Sequence, residues 1–429
     1  MQRYESYKSS DADWLGDVPT HWDVQPLRAV TALKSDKNRP ELPVLSVYRE
    51  YGVILKDSRD DNHNATSLDT SAYKVVKPGD LVVNKMKAWQ GSMGVSAHDG
   101  IVSPAYITCA TRADRVRPQY LHYLLRSSPL IGVYNSLSYG VRVGQWDMHY
   151  EDFKQIPIPL PPQEEQERIV AFLDQKTAEI DEAIAKKERL IELLNEQKSI
   201  VTNHAVTRGL NPSAPLKDSG IGWLGEIPSH WMVKRVKHLA RKIVDGAHHT
   251  PTYVDSGVPF LRVTDISGGK KVIDLNSVKR IPEREHRALC QRAFPEKGDV
   301  LLSKNGTIGE TIVVDWDYEF SIFVSLCLIK LRREIDPHFF CLYFSSPVVD
   351  LQLAEGGKRT SVTNLHLEKI KELVLALPPI EEQREIVRMV RNELTPYNKI
   401  ILKARHELVA LNDFKKSLTA SVVVGVVRV

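Results

Sequence analysis

Apolar side chains recur at a near-heptad spacing in two long stretches of the chain. The first stretch has no Pro or Gly between Glu164 and His204, and Gly209 follows it as a stop signal. In the second, the stripe from Tyr397 to Val422 steps alternately by four and three residues, with one lysine in it. A period of 3.5 residues is typical of helices that wind around a partner helix. We therefore predict a coiled coil whose core is formed by Ile180, Ile184, Ile191, Leu194, Val201, Ile401, Leu408, Leu411 and Leu418.

A proline lies in the second stretch. Proline cannot donate a backbone hydrogen bond and its ring crowds the preceding turn of a helix. We therefore expect a break or kink at Pro396, near the start of the second helix, with Thr395 as a candidate N-cap.

The rest of the chain indicates an α+β fold. Short runs rich in β-branched and aromatic residues, such as "LPVLSVY" and "VPFLRVTDI", are separated by Gly, Pro and Asn/Asp and predict strands. Pro118–Leu125 and Pro337–Phe344 predict short helices that open with proline. Strands and helices do not alternate steadily, which disfavours a doubly wound sheet.

The chain is a tandem repeat. "WLGDVPTHW" (14–22) returns as "WLGEIPSHW" (223–231), "KPGDLVVNK" (77–85) as "EKGDVLLSK" (296–304), and "LPPQEEQ" (160–166) as "LPPIEEQ" (377–383). The order predicts an N-terminal domain over 1–160, a helical region over 161–214, a C-terminal domain over 215–378 and a second helical region over 379–429. We expect the tryptophan phrase to dock each domain onto an end of the coiled coil. Trp22 and Trp231 should then be more buried than Lys85 and Lys304.

Charge favours pairing of the two helices with each other. Residues 161–214 carry 7 basic and 10 acidic side chains, whereas residues 379–429 carry 9 basic and 6 acidic ones. Two copies of a repeat pair most simply about a pseudo-two-fold axis, which makes the helices antiparallel. We expect a rod on the order of 60 Å long with a domain at each end. The alternative is that each helix packs on its own domain or on another protein.

Composition limits the class of protein. The chain has 42% hydrophobic and 26% charged residues and a net charge of +4, which permits nucleic-acid binding without requiring it. Four cysteines without C-x-x-C spacing, and an N-terminus without a signal peptide, favour the cytoplasm. The apolar tail "SVVVGVV" (421–427) is too short to span a membrane, and we expect it to pack against the N-terminal segment or a partner subunit.

No catalytic constellation or metal site is predicted. "GGKRTS" (356–361) lacks the first glycine of a phosphate loop, and neither "LPPQ" nor "LPPI" has the acid or amide and the aromatic that a methyltransferase motif needs. The histidines of "DGAHHTP" (245–251) have no third ligand at a diagnostic spacing.

Several loops instead combine cations and amides with aromatic side chains, as a DNA-binding surface does. Lys and Arg can contact phosphates or guanine, and Gln or Asn can pair with adenine. For any one of these residues, a solvated loop or a core tryptophan is an equally good interpretation. The candidate DNA-binding residues are Arg49, Lys85, Lys87, Trp89, Gln90, Arg142, Gln145, Trp146, His248, His249, Thr250, Arg262, Thr264, Lys304, Asn305, Thr307, Lys358, Arg359 and Thr360.

Taken together, the chain resembles the DNA specificity subunits of type I restriction–modification systems. The resemblance covers nearly the whole length and rests on "KDSGIGWLGEIPSHW", "DGAHHTP", "KNGTIG", "NKMKAWQGSMGVS", "AVTRGLNP" and "GKRTSVTNLHLEKIKELVLALPPIEEQ". It implies two target-recognition domains, each reading half of a split site in double-stranded DNA, and an antiparallel two-helix spacer between them. It also implies a non-catalytic protein that recruits two modification subunits, which bind S-adenosylmethionine, and the translocating and cutting restriction subunits.

Two other functions remain open at this point. One is a fused restriction–methylation enzyme or a fragment of one, which the missing cofactor loop disfavours. The other is a coiled-coil scaffold that binds only protein.

Overall fold

The computed structural model describes residues 2–59, 66–67, 69–142, 145–268, 273–306, 308–355 and 364–429, with the backbone alone at 141, 142, 145, 354 and 355. Contacts divide the chain into two compact units. Unit 1 is Met1–Lys187 with Arg405–Val429, and unit 2 is Glu188–Ala404. Each unit holds one domain of mixed helix and sheet and a part of each of two long helices, so the predicted α+β class is confirmed.

The domain of unit 1 is built on a four-stranded antiparallel sheet, to which several two-stranded sheets are added. The strands of the whole domain are β1 Tyr7–Ser9, β2 Asp17–Pro19, β3 Asp23–Pro26, β4 Thr31–Lys34, β5 Leu45–Tyr48, β6 Gly52–Leu55, β7 Lys74–Val76, β8 Leu81–Asn84, β9 Met93–Val95, β10 Gly100–Val102, β11 Tyr106–Thr111, β12 Ser138–Arg142, β13 Gln145–Met148 and β14 Pro157–Leu160. Its short helices are α1 Pro118–Leu125, α2 Ser128–Leu137 and α3 Tyr150–Phe153. The central sheet has the order β4-β11-β8-β9, and Cys109 of β11 pairs with Leu33 on one side and Leu81 on the other.

The domain of unit 2 repeats this plan. Its strands are β15 Leu216–Asp218, β16 Glu226–Pro228, β17 Met232–Arg235, β18 Ala240–Asp245, β19 Val258–Leu261, β20 Lys279–Ile281, β21 Val300–Ser303, β22 Thr311–Val313, β23 Ser321–Ile322, β24 Leu326–Leu331 and β25 Val374–Leu377. Its short helices are α5 Val236–Leu239, α6 Val263–Ile266, α7 Glu283–Cys290, α8 Pro337–Phe344, α9 Pro347–Glu355 and α10 Leu367–Glu372. The central sheet has the order β18-β24-β21-β22, so each strand has a counterpart in unit 1.

One turn shows how the two domains keep the same backbone with different side chains. Before β8 and β21, Asp80 and Asp299 accept the backbone N–H of the residue three positions earlier, at 2.8 and 2.7 Å. Each aspartate also accepts a lysine ammonium, which comes from β4 as Lys34 in unit 1 and from β24 as Lys330 in unit 2. The repeat therefore preserves the ion pair while the lysine moves to the neighbouring strand.

A long helix follows each domain in sequence. Helix α4 runs from Gln163 to Arg208 and helix α11 from Ile380 to Val423. Within unit 1 they pack side by side and run antiparallel, since Asp181 pairs with Lys415 at 2.6 Å and Lys187 with Glu407 at 2.5 Å. Every one of the nine predicted core residues is buried or half-buried, and Ile180 and Leu418 belong to one apolar cluster. The predicted pairing of the two helices is confirmed.

Of the break or kink expected at Pro396, the break is wrong, and the kink stays a prediction. Helix α11 continues through the proline, which lies on its exposed side. Thr395 does not cap a helix, because its hydroxyl donates to the carbonyl of Arg391, one turn earlier, at 2.7 Å. A long helix held by neighbours on both sides of a proline can lose one backbone hydrogen bond and still continue.

The ends of the chain meet in unit 1, as predicted for the apolar tail. Val422 and Val423 lie in the same apolar cluster as Trp22, and the phenol of Tyr120 donates to the carbonyl of Val423 at 3.0 Å. The N–H of Arg428 donates to the carbonyl of Gln2 at 3.0 Å. Across the described ranges, no helix is long and apolar enough to cross a membrane.

Candidate nucleic-acid interface

The tryptophan phrase of unit 1 binds the first turn of helix α4. Glu165 of that turn accepts a hydrogen bond from the Tyr4 hydroxyl at 2.6 Å, and its other oxygen lies 2.8 Å from Nε2 of His21. Burial by itself would raise the pKa of Glu165, but hydrogen bonds from Tyr4 and His21 outweigh it and lower that pKa below its ordinary value. The neighbouring Trp22 is fully buried.

Unit 2 repeats this contact with helix α11. Glu382 lies 2.8 Å from Nε2 of His230, and its other oxygen accepts from Nε1 of Trp231 at 3.1 Å. The phrase therefore joins each domain to the start of the helix that follows it in sequence.

A buried glutamine beside each glutamate completes the joint. Gln166 accepts the N–H of Arg117 at 2.7 Å and donates to the carbonyl of Pro161 at 2.8 Å. Gln383 accepts the N–H of Asp336 at 2.8 Å and donates to the carbonyl of Pro378 at 2.8 Å. Both amides are fully buried. Sequence analysis assigned no role to this glutamine, although the recurrence of "EEQ" after the proline pair in both halves was a signal for a structural one.

The ends of the long helices also meet the tryptophans. Gly209 and Gly425 follow α4 and α11 with φ of 74° and 83°. A Cβ at either glycine would lie 3.0 Å from the indole of Trp231 or Trp22, respectively. These close approaches require glycine, and they confirm that the phrase docks each domain onto helix ends.

The burial expected for this joint is also confirmed. Trp22 and Trp231 are fully buried, whereas the side chains of Lys85 and Lys304 are 40% and 7% exposed. The two lysines hold equivalent places after β8 and β21, but they differ in environment.

In unit 1, three of the candidate residues lie together on one surface. Lys85 pairs with Asp147 of β13 at 3.1 Å, and both side chains are partly exposed. Trp89 and Trp146 pack edge to face with ring centres 5.2 Å apart. The side chains of Arg142 and Gln145, which we predicted to act here, lie outside the described residues.

Three other candidates of unit 1 line one cavity of about 750 Å³. Arg49 and Lys87 are exposed at its edge, and Gln90 is half-buried. The remaining wall includes Asn84 and Tyr106. The structure thus gathers residues that are up to 41 positions apart in sequence, Arg49 to Gln90, into one concave surface.

In unit 2 the candidate Lys304 is part of a buried ion-pair cluster. Its ammonium lies 2.8 Å from Asp245, which also pairs with Arg292 and, at 3.0 Å, with His248. Burial alone would raise the pKa of Asp245, but hydrogen bonds from Lys304, Arg292 and His248 hold it well below its ordinary value. As it lies, Lys304 does not have the exposure that a direct DNA contact requires, because Asp245 holds it inside the domain.

The cluster instead carries exposed residues at its edge. His248, His249 and Thr250 are exposed on one loop, and Arg292 is half-exposed beside His248, 3.4 Å away. Arg292 was missed by sequence analysis, because nothing in the sequence links it to a loop 44 residues earlier.

The other candidates of unit 2 are more scattered. Arg262 and Thr264 belong to the short turn in which Asp265 accepts the N–H of Arg262 at 2.7 Å, and Thr264 is exposed. Asn305 is half-buried and pairs across a bridge with Asn364. Four candidates, Thr307, Lys358, Arg359 and Thr360, lie outside the described residues.

Comparison with known proteins decides the family. The model of the type I restriction modification DNA specificity domain matches residues 111–193 and 228–405, which is more than half of the chain. This chain belongs to that specificity family. Specificity subunits are the non-catalytic DNA-recognition components of type I systems, so the candidate surfaces belong to a binding protein and not to an enzyme.

Relatives of this specificity subunit cover most of its length. The putative type I restriction enzyme MjaX specificity subunit of Methanocaldococcus jannaschii is 24% identical over 99% of this chain and 97% of its own. The EcoKI specificity subunit of Escherichia coli K12 is 22% identical over 94% and 89%. The EcoBI specificity subunit of Escherichia coli is 28% identical, with an alignment that spans 61% of this chain and 56% of that relative.

A solved structure supports the fold of the specificity subunit. A chain from a study of complex assembly and conformational transition in a type I system aligns with a TM-score of 0.68. It is 17% identical and covers 94% of this chain and 98% of that one. At this identity the likeness concerns the fold, and the roles of individual candidate residues remain predictions.

Proposed function

We propose that this specificity subunit reads a bipartite target in double-stranded DNA, one half-site with each domain. The observation that carries the proposal is a repeated framework with unlike surfaces. Both central sheets have the same strand order, yet Lys85 is partly exposed beside Asp147 whereas Lys304 is buried on Asp245. Two readers of equal shape and different side chains suit two different half-sites.

The charge of the chain favours DNA binding that is helped by partners. Residues 1–160 carry 19 basic and 18 acidic side chains, and residues 215–378 carry 23 and 20. Because affinity for DNA depends strongly on the number of phosphates neutralised, so small an excess favours weak binding by the subunit alone. Partner subunits would then supply much of the phosphate contact.

Exposed apolar side chains on the long helices support partner binding there. Large apolar groups that face solvent commonly mark protein interfaces. The examples on α4 and α11 are Leu190, Leu193, Ile200, Leu402, Val409 and Phe414. In the proposal two modification subunits dock on these helices, carry S-adenosylmethionine, and assemble with restriction subunits. The four unpaired thiols agree with a cytoplasmic complex.

Methylation mapping of genomic DNA tests the proposal. Cells that express this chain with its modification subunits should carry methylated adenines in one motif of two short half-sites and an unread gap. A matched strain with Lys87→Ala and Gln90→Ala should show weaker or altered selection in one half-site only. A single uninterrupted motif, or changes in both half-sites, would show that the two domains do not read separately.

A further inference from the structure

The cavity of the N-terminal domain has the chemistry of a base-binding pocket. Tyr48, Tyr73 and Tyr106 line it, together with Arg49 and Lys87. Burial, and then the phenols of Tyr48 and Tyr73, raise the pKa of Tyr106. Aromatic rings with cations at the rim are the usual surroundings of an unstacked nucleotide.

An amide without a partner lies in the wall of this cavity. Asn84 is the last residue of strand β8 and is 7% exposed. Its Oδ1 has no hydrogen-bond partner among the described residues. A buried amide that the protein leaves unpaired is costly, unless a ligand supplies the missing partner. An amide can both donate and accept, as the edge of a base requires.

The C-terminal domain lacks this arrangement at the equivalent place. Ser303 ends strand β21, and its hydroxyl accepts the N–H of Glu310 at 2.9 Å. Its strand partner is the buried Leu326, where Asn84 has Tyr106. At this strand position, an unpaired amide oxygen opposite a tyrosine occurs in the N-terminal domain, whereas the buried amide oxygens without a partner in the described part of the C-terminal domain belong to Asn305 and Asn364.

Groove contacts alone do not explain the cavity. A base that stays in the duplex presents only its edge, and a cavity of about 750 Å³ is in the range that holds a whole small molecule. We propose that the cavity receives one base of the N-terminal half-site, turned out of the duplex stack, and that Asn84 hydrogen-bonds its edge. The phenols contact the ring, and Arg49 and Lys87 lie where the flanking phosphates pass.

The inference rests on the proposed function, and a binding experiment separates the two. The full chain with its modification subunits is titrated with duplexes of the mapped motif. In these duplexes each base of the N-terminal half-site is removed in turn, leaving an abasic residue. The methylated adenine is left out of the comparison, since a methyltransferase extrudes its own target base.

Asn84→Leu should weaken binding to the intact motif about tenfold, as expected for one lost hydrogen bond. At one abasic position the variant and the wild type should bind equally, because the base that Asn84 contacts is gone. An abasic residue opposite that position should tighten binding of the wild type, since the pair no longer has to be opened. The smaller variant Asn84→Ser, with the residue of the C-terminal domain, should follow the same pattern. The control Asn135→Leu, on the exposed side of α2, should bind every duplex as the wild type does.

Two results would overturn the inference and leave the proposed function intact. One is that Asn84→Leu weakens binding equally to all abasic duplexes. The other is that no opposing abasic residue tightens binding. Absence of sequence-selective binding by the wild-type complex would overturn the proposed function itself and the inference with it.

Discussion

Gln166 shows how much a single buried amide holds in place. It bonds the backbone at the start of α1 and at the proline pair that precedes α4. Gln166→Leu keeps the side chain's approximate size but leaves buried backbone groups unpaired, which costs about 1–3 kcal/mol per group. We expect the free energy of unfolding of the chain to fall by about 3 kcal/mol, measured by urea denaturation.

The exposed Gln175, about two and a half turns further along α4, provides a matched control. Its side chain is exposed and donates to Glu179 of the same helix at 2.8 Å, so Gln175→Leu should change the free energy of unfolding by less than about 0.5 kcal/mol. If both variants lowered the free energy of unfolding equally, Gln166 would contribute no more to stability than an exposed glutamine of the same helix.

Asp245→Asn tests the buried cluster of the C-terminal domain. The change leaves the Lys304 ammonium without a counter-charge, and removing one partner of a buried pair costs about 3–5 kcal/mol. The pKa of Asp245 is lower in the folded chain than in the unfolded one, so its contribution is complete above about pH 4 and is lost as pH falls through the folded value. We therefore expect the difference in free energy of unfolding between wild type and variant to be constant from about pH 7 to 5 and to become smaller below about pH 4. Chemical denaturation at several pH values measures it.

The ion pair that the equivalent lysine makes in the N-terminal domain, with an aspartate from a different strand, is the control. Asp147 and Lys85 are both partly exposed, so Asp147→Asn should cost under about 1 kcal/mol. If the difference in free energy of unfolding between wild type and Asp245→Asn grew as the pH fell, the pKa of Asp245 would not be lowered in the folded chain.

At the scale of residues, the sequence predicted which positions of the two domains are equivalent better than it predicted whether their side chains are buried. It identified Lys85 and Lys304 as equivalent, because the repeat aligns them, but could not place Lys304 inside the domain. Its counter-charge Asp245 lies 59 residues earlier and meets it only through the pairing of β18, β24 and β21. Periodicity is local, whereas burial of a charge depends on which distant strand supplies its partner.

At the scale of elements, the proline of α11 is the informative departure from prediction. Pro396 has no N–H for the carbonyl of Asn392, although the helix continues past it. Since proline in a helix interior costs about 3 kcal/mol relative to alanine, Pro396→Ala should raise the free energy of unfolding by about 1–3 kcal/mol. The measurement is chemical denaturation of the full chain.

The repeat supplies the reciprocal experiment in α4. Glu179 holds the position that corresponds to Pro396, in an unbroken and exposed part of the helix. Glu179→Pro should lower the free energy of unfolding by about 3 kcal/mol. If Pro396→Ala lowered stability instead, the local geometry at the proline would be required for packing.

The sequence predicted where helices form, but it did not predict that a helix continues through a proline. The helices Pro118–Leu125 and Pro337–Phe344 have their predicted bounds, because proline at the first turn is a local signal. Asp336 adds a cap by accepting the N–H groups of His338 and Phe339. The outcome at Pro396 depends on packing along 44 residues of helix, which local propensity does not contain.

At the scale of the whole molecule, the proposed function gives the helices the task of fixing the distance between half-sites. Lys187 of α4 pairs with Glu407 of α11, so seven residues added after Lys187 and seven after Ala404 extend both helices at nearly the same level. Seven residues preserve the heptad repeat and add roughly 10 Å, which is about three base pairs. We expect methylation mapping to return both half-sites unchanged with a gap longer by about three base pairs. Insertion into α4 alone shifts the part of α4 that follows Lys187 against the part of α11 that precedes Arg405 and should abolish methylation. Altered half-sites with an unchanged gap would mean that the helices do not set the spacing.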